Sequence, residues 1–133
     1  MNVDGLRHVG LTVTDLDRSV EWYSRVLGFT ELFREQHDDR RTAVLRSAGA
    51  MVGLVEFTTS GGAFSERHPG LNHLCLAARD AAELDGWVQH LDRCGVAHSG
   101  VQAMATGPIL NFRDPDGVAL ALALLPITKE PAS

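Results

Sequence analysis

The hydrophobic pattern of this chain begins with a strand and continues with a helix. In the stretch LRHVGLTV, residues 6–13, apolar residues alternate with others, which predicts a strand. Asp15 or Asp17 can cap the helix that follows, and Gly28 suits its C-terminal end. Between these ends apolar residues recur at a helical period, at Leu16, Val20, Tyr23 and Leu27.

The same pattern returns 65 positions later, which predicts an internal duplication. The identities pair Gly5, Leu6, His8, Leu11, Asp15 and Trp22 with Gly70, Leu71, His73, Leu76, Asp80 and Trp87. In the second copy Asp80 and Glu83 have the spacing of a capping box, and Gly95 ends the predicted helix. Each copy places a histidine in the middle of its strand-like run.

Three shorter strands are predicted after each helix, so each copy has the order βαβββ. Their ranges are 29–36, 41–47 and 50–58 in the first copy, and 97–103, 108–113 and 117–125 in the second. The DPDG sequence at 114–117 is a strong hairpin turn. We therefore predict an α+β domain over 1–126 with tandem modules at 1–60 and 68–126, a linker at 59–69, and a flexible tail at 127–133.

Composition narrows the functional classes. A chain of 133 residues is long enough for one domain with a real core. The net charge of −5 argues against nonspecific binding to nucleic acid or to anionic membranes, and no apolar run is long enough to span a bilayer. The first residues lack the apolar core of a signal peptide, and Cys75 and Cys94 form no metal or disulfide framework. These features favour a cytoplasmic protein.

Two segments carry a family resemblance. HVGLTVTDLDRSVEWYSRVLGF and FRDPDGVALAL resemble the two most recognisable segments of the vicinal oxygen chelate superfamily, which includes glyoxalase I, extradiol dioxygenases, and fosfomycin- and bleomycin-resistance proteins. The resemblance covers nearly the whole chain. It implies that each module curls into a half-barrel, that the concave faces enclose a cavity, and that the chain pairs as a homodimer. It does not define the reaction, because one fold hosts many sites.

The resemblance also implies a divalent metal, such as Fe, Zn, Ni or Mn, held by first and last strands. His8 and His73 match the first-strand ligand positions. The last-strand positions, usually Glu, fall on Gly53 and Ala121. Glu56 is the only carboxylate near Gly53, but its odd spacing sends it to the other face of the strand unless a bulge intervenes. The expected site is therefore degenerate, and no metal at all is the alternative.

Strand parity predicts an apolar ligand pocket independently of any metal. If His8 faces the cavity, so does Thr12. In the second copy Cys75 lies on the same strand face as His73. In the last strand large residues would pack under the helix and small ones would face the ligand. The predicted lining is Thr12, Met51, Gly53, Val55, Phe57, Cys75, Ala119 and Ala121.

Two functions remain open at this point. The first is a protein that binds a small, partly apolar organic molecule. The second is a metal-dependent enzyme, a ring-cleaving dioxygenase or a lyase or isomerase, that uses His8, His73 and Glu56. Arg113 could meet an anionic ligand or pair with a nearby Asp. His98 and the remaining histidines are expected to be solvated, and Cys75 is expected to be a buried structural thiol because no adjacent base is evident.

Overall fold

The structure, a computed structural model, describes residues 1–59 and 61–125. The chain divides into two compact units. The first unit holds Met1–Phe64 and, from further along the chain, Asp114–Gly117. The second unit holds Ser65–Arg113 and the chain from Val118 onwards. The predicted tail at 127–133 lies outside the described residues.

The first unit has the predicted order βαβββ. Its elements are β1 (Val9–Thr12), α1 (Leu16–Leu27), β2 (Thr30–Gln36), β3 (Arg40–Arg46) and β4 (Met51–Phe57). The sheet order is β1-β4-β3-β2, in which β1 runs parallel to β4 and the other neighbours are antiparallel.

The second unit repeats this arrangement. Its elements are β5 (Leu74–Ala78), α2 (Ala81–Arg93), β6 (His98–Met104), β7 (Gly107–Arg113) and β8 (Ala119–Leu124). The sheet order is β5-β8-β7-β6, again with one parallel pair, β5 with β8. The predicted α+β fold of two βαβββ modules is therefore confirmed.

Helix α1 is capped at both ends by residues suited to those positions. The Asp15 side chain accepts a hydrogen bond from the Arg18 backbone N–H at 3.0 Å, so Asp15 rather than Asp17 is the N-cap. Gly28 ends the helix in the left-handed conformation, with φ 73°, which glycine adopts without strain. One face of α1 packs on β3 and β4, and its Leu16, Tyr23 and Val26 are fully buried there.

Helix α2 uses the predicted capping box. Asp80 accepts a hydrogen bond from the Glu83 N–H at 2.8 Å, and the Glu83 carboxylate accepts one from the Arg79 N–H. The buried side of α2 is narrower than that of α1, with Leu84 and Leu91 as its buried residues. These pack with the apolar face of the second sheet, which contributes Leu110, Leu120 and Leu122.

The DPDG turn joins β7 to β8 along the chain but packs in the first unit. The Tyr23 hydroxyl, fully buried, donates a hydrogen bond of 2.8 Å to the Asp114 carboxylate, which is only 6% exposed. Asp116 accepts hydrogen bonds from the Thr14 backbone and hydroxyl and from Arg18. This turn therefore holds α1 at two places, near its start through Asp116 and at Tyr23 in its C-terminal half through Asp114.

Within the described part of the chain, neither helix is long and apolar enough to cross a membrane.

Candidate functional site

Each sheet has a face that carries its helix and a face turned away from it, which we call the open face. In the first unit, β1 and β4 pair in register, with Gly10 beside Gly53 and Thr12 beside Val55. Cross-strand neighbours point to the same side of a sheet. Because Leu11, Val52 and Leu54 are buried on the helix side, the open face carries the intervening residues, among them Met51, Gly53, Val55 and Phe57.

The open face of the second unit is built from smaller residues. Cys75 pairs with Ala121 and Ala77 with Ala123, while Asn111 and Arg113 of β7 lie beside Ala121 and Ala119. The leucines between them, Leu120 and Leu122, are buried on the helix side. Ala121 is itself 0% exposed, between Cys75 and Asn111. Large and small residues of β8 thus alternate between the two faces.

The two histidines occupy equivalent positions. His8 directly precedes β1 and His73 directly precedes β5, and both side chains are exposed. Each ring nitrogen Nδ1 contacts a neighbour in sequence: Arg7 Nη1 lies 3.0 Å from that of His8, and Asn72 Oδ1 lies 2.8 Å from that of His73. Strand alternation puts His8 on the same side as Gly10 and Thr12.

The structure places Glu56 on the side of the sheet opposite this face. Strand β4 pairs with β3 without a bulge, so Glu56 lies on the helix side. One carboxylate oxygen accepts a hydrogen bond from the Leu16 N–H at 3.1 Å, and the other from Arg41 Nε at 2.7 Å. The Arg41 hydrogen bond, followed by the Leu16 N–H, lowers the pKa of Glu56. Glu56 therefore stabilises the first turn of α1.

A divalent metal does not fit the residues that the family arrangement would offer. Gly53 and Ala121 lie at equivalent positions, beside Gly10 and Cys75, and neither has a donor side chain. Zinc sites use at least three protein ligands. Among the described residues, no group of three or more His, Cys, Asp or Glu side chains could hold a metal ion.

A recess of about 520 Å³ lies within the second unit. It is lined by Val96, Ala97, His98, Ser99, Asn111, Phe112, Arg113, Ala119 and Leu120. Its volume falls in the range of small-molecule sites, and its wall is mostly apolar with a few polar groups, as such sites usually are. Ala119 is the only residue of the predicted pocket lining that borders this recess.

A bulge in β6 lies beside this recess. The pairing of β6 with β7 shifts between His98 and Val101, and Gly100 has φ 71°, which favours glycine. The Ser99 hydroxyl takes the place of a backbone carbonyl and accepts the Asn111 N–H at 3.0 Å. The side-chain amide of Asn111 donates to Gln102 at 3.3 Å, so its carbonyl oxygen is left without a donor among the described residues.

His98 differs from its expected solvated state. Its side chain is only 13% exposed, and its Nε2 lies 2.7 Å from the Asp92 carboxylate. Its Nδ1 accepts a hydrogen bond from the Gly100 N–H at 3.0 Å. Because both ring nitrogens are engaged, His98 supports the bulge and is not available as a general base.

Arg113 forms an ion pair with an acidic residue, as one of its two expected roles required, but the partner is Glu66 and not a nearby Asp. Arg113 Nη2 lies 2.7 Å from Glu66 Oε1, and both side chains are about half exposed. The Arg113 hydrogen bond lowers the pKa of Glu66, and Glu66 raises the pKa of Arg113. The recess therefore has a charged, paired guanidinium on its border.

Cys75 lies on the open face beside Ala121 and is exposed, so the expectation that it is buried is wrong. Partial burial raises the pKa of its thiol above the ordinary value of 9.0, so the protonated form dominates at neutral pH. The thiolate is the reactive species. The structure therefore gives no reason to treat Cys75 as a nucleophile.

With this geometry in view, comparison with known proteins defines the class. The family model of the Glyoxalase/Bleomycin resistance protein/Dioxygenase superfamily matches residues 5–122. The chain belongs to this superfamily, which is the group that its two segments resemble.

Similar solved structures agree. A glyoxylase/bleomycin resistance protein/dioxygenase domain from Frankia sp. EAN1pec is 36% identical with a TM-score of 0.86, over 92% of this chain and 98% of that one. The fosfomycin resistance protein FosX from Listeria monocytogenes, in complex with Mn(II) and 1S,2S-dihydroxypropylphosphonic acid, has a TM-score of 0.73 over 95% of this chain and 94% of that one. At 18% identity it shows the fold alone.

One curated relative is a Bacillus subtilis (strain 168) protein named "Putative ring-cleaving dioxygenase MhqA", which is 29% identical over 90% of this chain. The chain spans 39% of that relative's length.

Proposed function

We propose that this protein binds a small, partly apolar organic molecule, and that the metal site of its superfamily is degenerate in this chain. The observation that carries the proposal is the recess of about 520 Å³ in the second unit, with its apolar wall and the polar groups of Asn111 and Arg113. Such a wall supplies most of the binding free energy, while a few polar groups orient the ligand. The small side chain of Ala119 keeps this space open.

The remaining predicted lining residues extend the proposal to the open faces of both sheets. Met51, Gly53, Val55 and Phe57 give the first unit an apolar open face bordered by Thr12. Cys75 and Ala121 give the second unit a surface of small side chains beside the recess wall at Ala119. We propose that each face, taken by itself, is a surface for contacts with a small, partly apolar molecule. We also predict a homodimer, which light scattering after gel filtration would test.

The second candidate function is a metal-dependent enzyme. The observation that favours it is the pair of exposed imidazoles, His8 and His73, at equivalent positions before β1 and β5. The relative named as a ring-cleaving dioxygenase points the same way. Two observations argue against it. Gly53 and Ala121 have no side chain that could bind a metal, and the carboxylate of Glu56 is hydrogen-bonded to Leu16 and Arg41.

Two measurements separate these functions. Substitution Ala119→Trp fills the recess and should abolish binding of 2-naphthamide, followed by NMR titration, while Ala77→Trp on the same open face serves as the control for a bulky aromatic. Binding that survives in Ala119→Trp would contradict the proposed site. Metal analysis of protein purified without chelator, with His8→Ala and His73→Ala, tests the rival. Stoichiometric metal that both variants lose would favour the enzyme.

A further inference from the structure

The Arg113–Glu66 pair suggests which chemical class the recess accepts. Glu66 lies ahead of β5 in the segment 61–73, which contains neither helix nor strand. Its carboxylate oxygens lie 2.7 and 3.5 Å from two guanidinium nitrogens of Arg113. A carboxylate held by both terminal nitrogens of an arginine is the arrangement by which proteins recognise acidic ligands.

This internal carboxylate is weakly held. The side chains of Arg113 and Glu66 are 51% and 42% exposed. Exposed ion pairs contribute little free energy because water and salt screen them. Another carboxylate that reaches Arg113 can therefore displace Glu66 at small cost, provided that it gains a contact elsewhere.

The recess supplies that contact. Arg113 borders the same space as the apolar residues Val96, Ala97 and Ala119, and Asn111 adds a hydrogen-bonding amide. A molecule with an apolar body and an oxyanion would bury its body in the recess and place its charge on the guanidinium. Glu66 has only the second of these contacts, so such a ligand would outcompete it.

Resting on the proposed function, we propose that the ligand is a small organic carboxylate with an apolar body, and that Glu66 occupies the position of its acid group when the recess is empty. The Glu66 carboxylate thereby acts as an internal competitor. It lowers the apparent affinity of Arg113 for other anions and leaves the affinity of the recess for neutral molecules unchanged. Binding of the anion releases Glu66 and the segment before β5 from Arg113.

An NMR titration with 2-naphthoate and its neutral isostere 2-naphthamide tests this inference. Glu66→Gln should bind 2-naphthoate about fivefold more tightly, since the competitor loses its charge, and 2-naphthamide unchanged. Arg113→Gln should weaken 2-naphthoate by about fivefold or more and leave 2-naphthamide unchanged. Glu21→Gln is the matched control, because it removes a carboxylate from another exposed pair, that of Glu21 with Arg25, and should change neither affinity.

The outcomes are distinguishable. If neither compound shifts the backbone amides that border the recess, both the inference and the proposed function are overturned. If 2-naphthamide binds there and 2-naphthoate shows no dependence on Glu66 or Arg113, the inference alone fails and the binding function stands. Retained chemical shifts elsewhere in each variant would show that the fold is intact.

Discussion

The two units share one topology but use their side chains differently. In the first unit, helix α1 buries seven residues, and carboxylates bind it at its first turn, from Glu56, and at Tyr23, from the DPDG turn. In the second unit, helix α2 buries two residues, and its capping groups come from its own first turn. The open faces differ as well, with Gly10 and Gly53 matched by Cys75 and Ala121.

This difference shows that the two units of a duplicated fold can use their polar side chains for different purposes. Both units have a register shift in the strand after the helix, in β2 and in β6, but polar side chains of the first unit are engaged in stabilising α1, whereas a recess bordered by polar groups lies beside β6. Bulges interrupt strand pairing and re-aim side chains, which makes them suitable places for ligand sites. Variants that act on one unit and spare its counterpart test this division.

The largest effect is expected at Tyr23. Substitution Tyr23→Phe leaves the nearly buried Asp114 carboxylate without its hydroxyl donor and should lower the free energy of unfolding by about 2 kcal/mol. The equivalent residue of α2 is Val88, which is only half-buried, so Val88→Ala should cost less than about 1 kcal/mol. Urea unfolding followed by circular dichroism measures both, and equal losses would contradict the asymmetry of the two helices.

The same residue predicts an alkaline response. Burial, and then the Asp114 carboxylate, raise the pKa of Tyr23 above its ordinary value of 10.0. The unfolded phenol therefore ionises first, so the stability that Tyr23 contributes is complete below pH 10.0 and falls as the pH rises beyond it. Tyr23→Phe should remove that part of the pH dependence, as urea midpoints at pH 8 and about pH 11 would show. A midpoint shift that Tyr23→Phe retains in full would assign the response to other groups.

A smaller loss is expected from Glu56→Ala, about 1 kcal/mol, because the Leu16 N–H loses its acceptor and Arg41 loses one of its acidic partners, keeping Asp17. The pKa of Glu56 is lowered, so its stabilising contribution is present above the ordinary value of 4.5 and is lost as the pH falls through the depressed pKa. Thermal unfolding at pH 7 and about pH 3 should show a smaller acid effect in the variant. Substitution Leu124→Ala at the equivalent position of β8 leaves that acid response unchanged, and an equal flattening there would contradict the assignment to Glu56.

The smallest effect is expected at Ala121. Substitution Ala121→Glu places a carboxylate on the open face of the second unit, at the position where the superfamily usually has a ligand. Mn²⁺ affinity, measured by calorimetry, should rise about threefold, because burial of the new charge offsets much of the gain. Ala123→Glu on the same face of β8 is the control. Equal affinities in the two variants would count against Ala121 as the equivalent of a ligand position.

Local patterns were enough to predict the order of elements, the duplication and the equivalence of Gly53 and Ala121. These follow from strand alternation, helix caps and a repeat in sequence, all of which act over short distances. Even the odd spacing of Glu56 indicated the helix side. The hydrogen bonds of Glu56 to Leu16 and of Tyr23 to Asp114 could not be predicted, since they join residues 40 and 91 positions apart.

The recess was missed for a related reason. It lies beside a register shift in β6, and the SGV sequence at 99–101 is an ordinary strand or loop pattern. The one available signal is Gly100 inside a predicted strand, since an isolated glycine there often marks a bulge. The contact of His98 with Asp92 has no sequence signal, because Asp92 belongs to a separate predicted helix.

The position of the DPDG turn has a consequence for the two repeats as separable pieces. A fragment that ends at residue 64 would lack Asp114 and Asp116, and would bury the phenol of Tyr23 with no acceptor for its proton. A fragment that starts at residue 65 would carry both carboxylates with no helix to receive them. Each half would therefore lack one side of the hydrogen bond between Tyr23 and Asp114 that the whole chain forms.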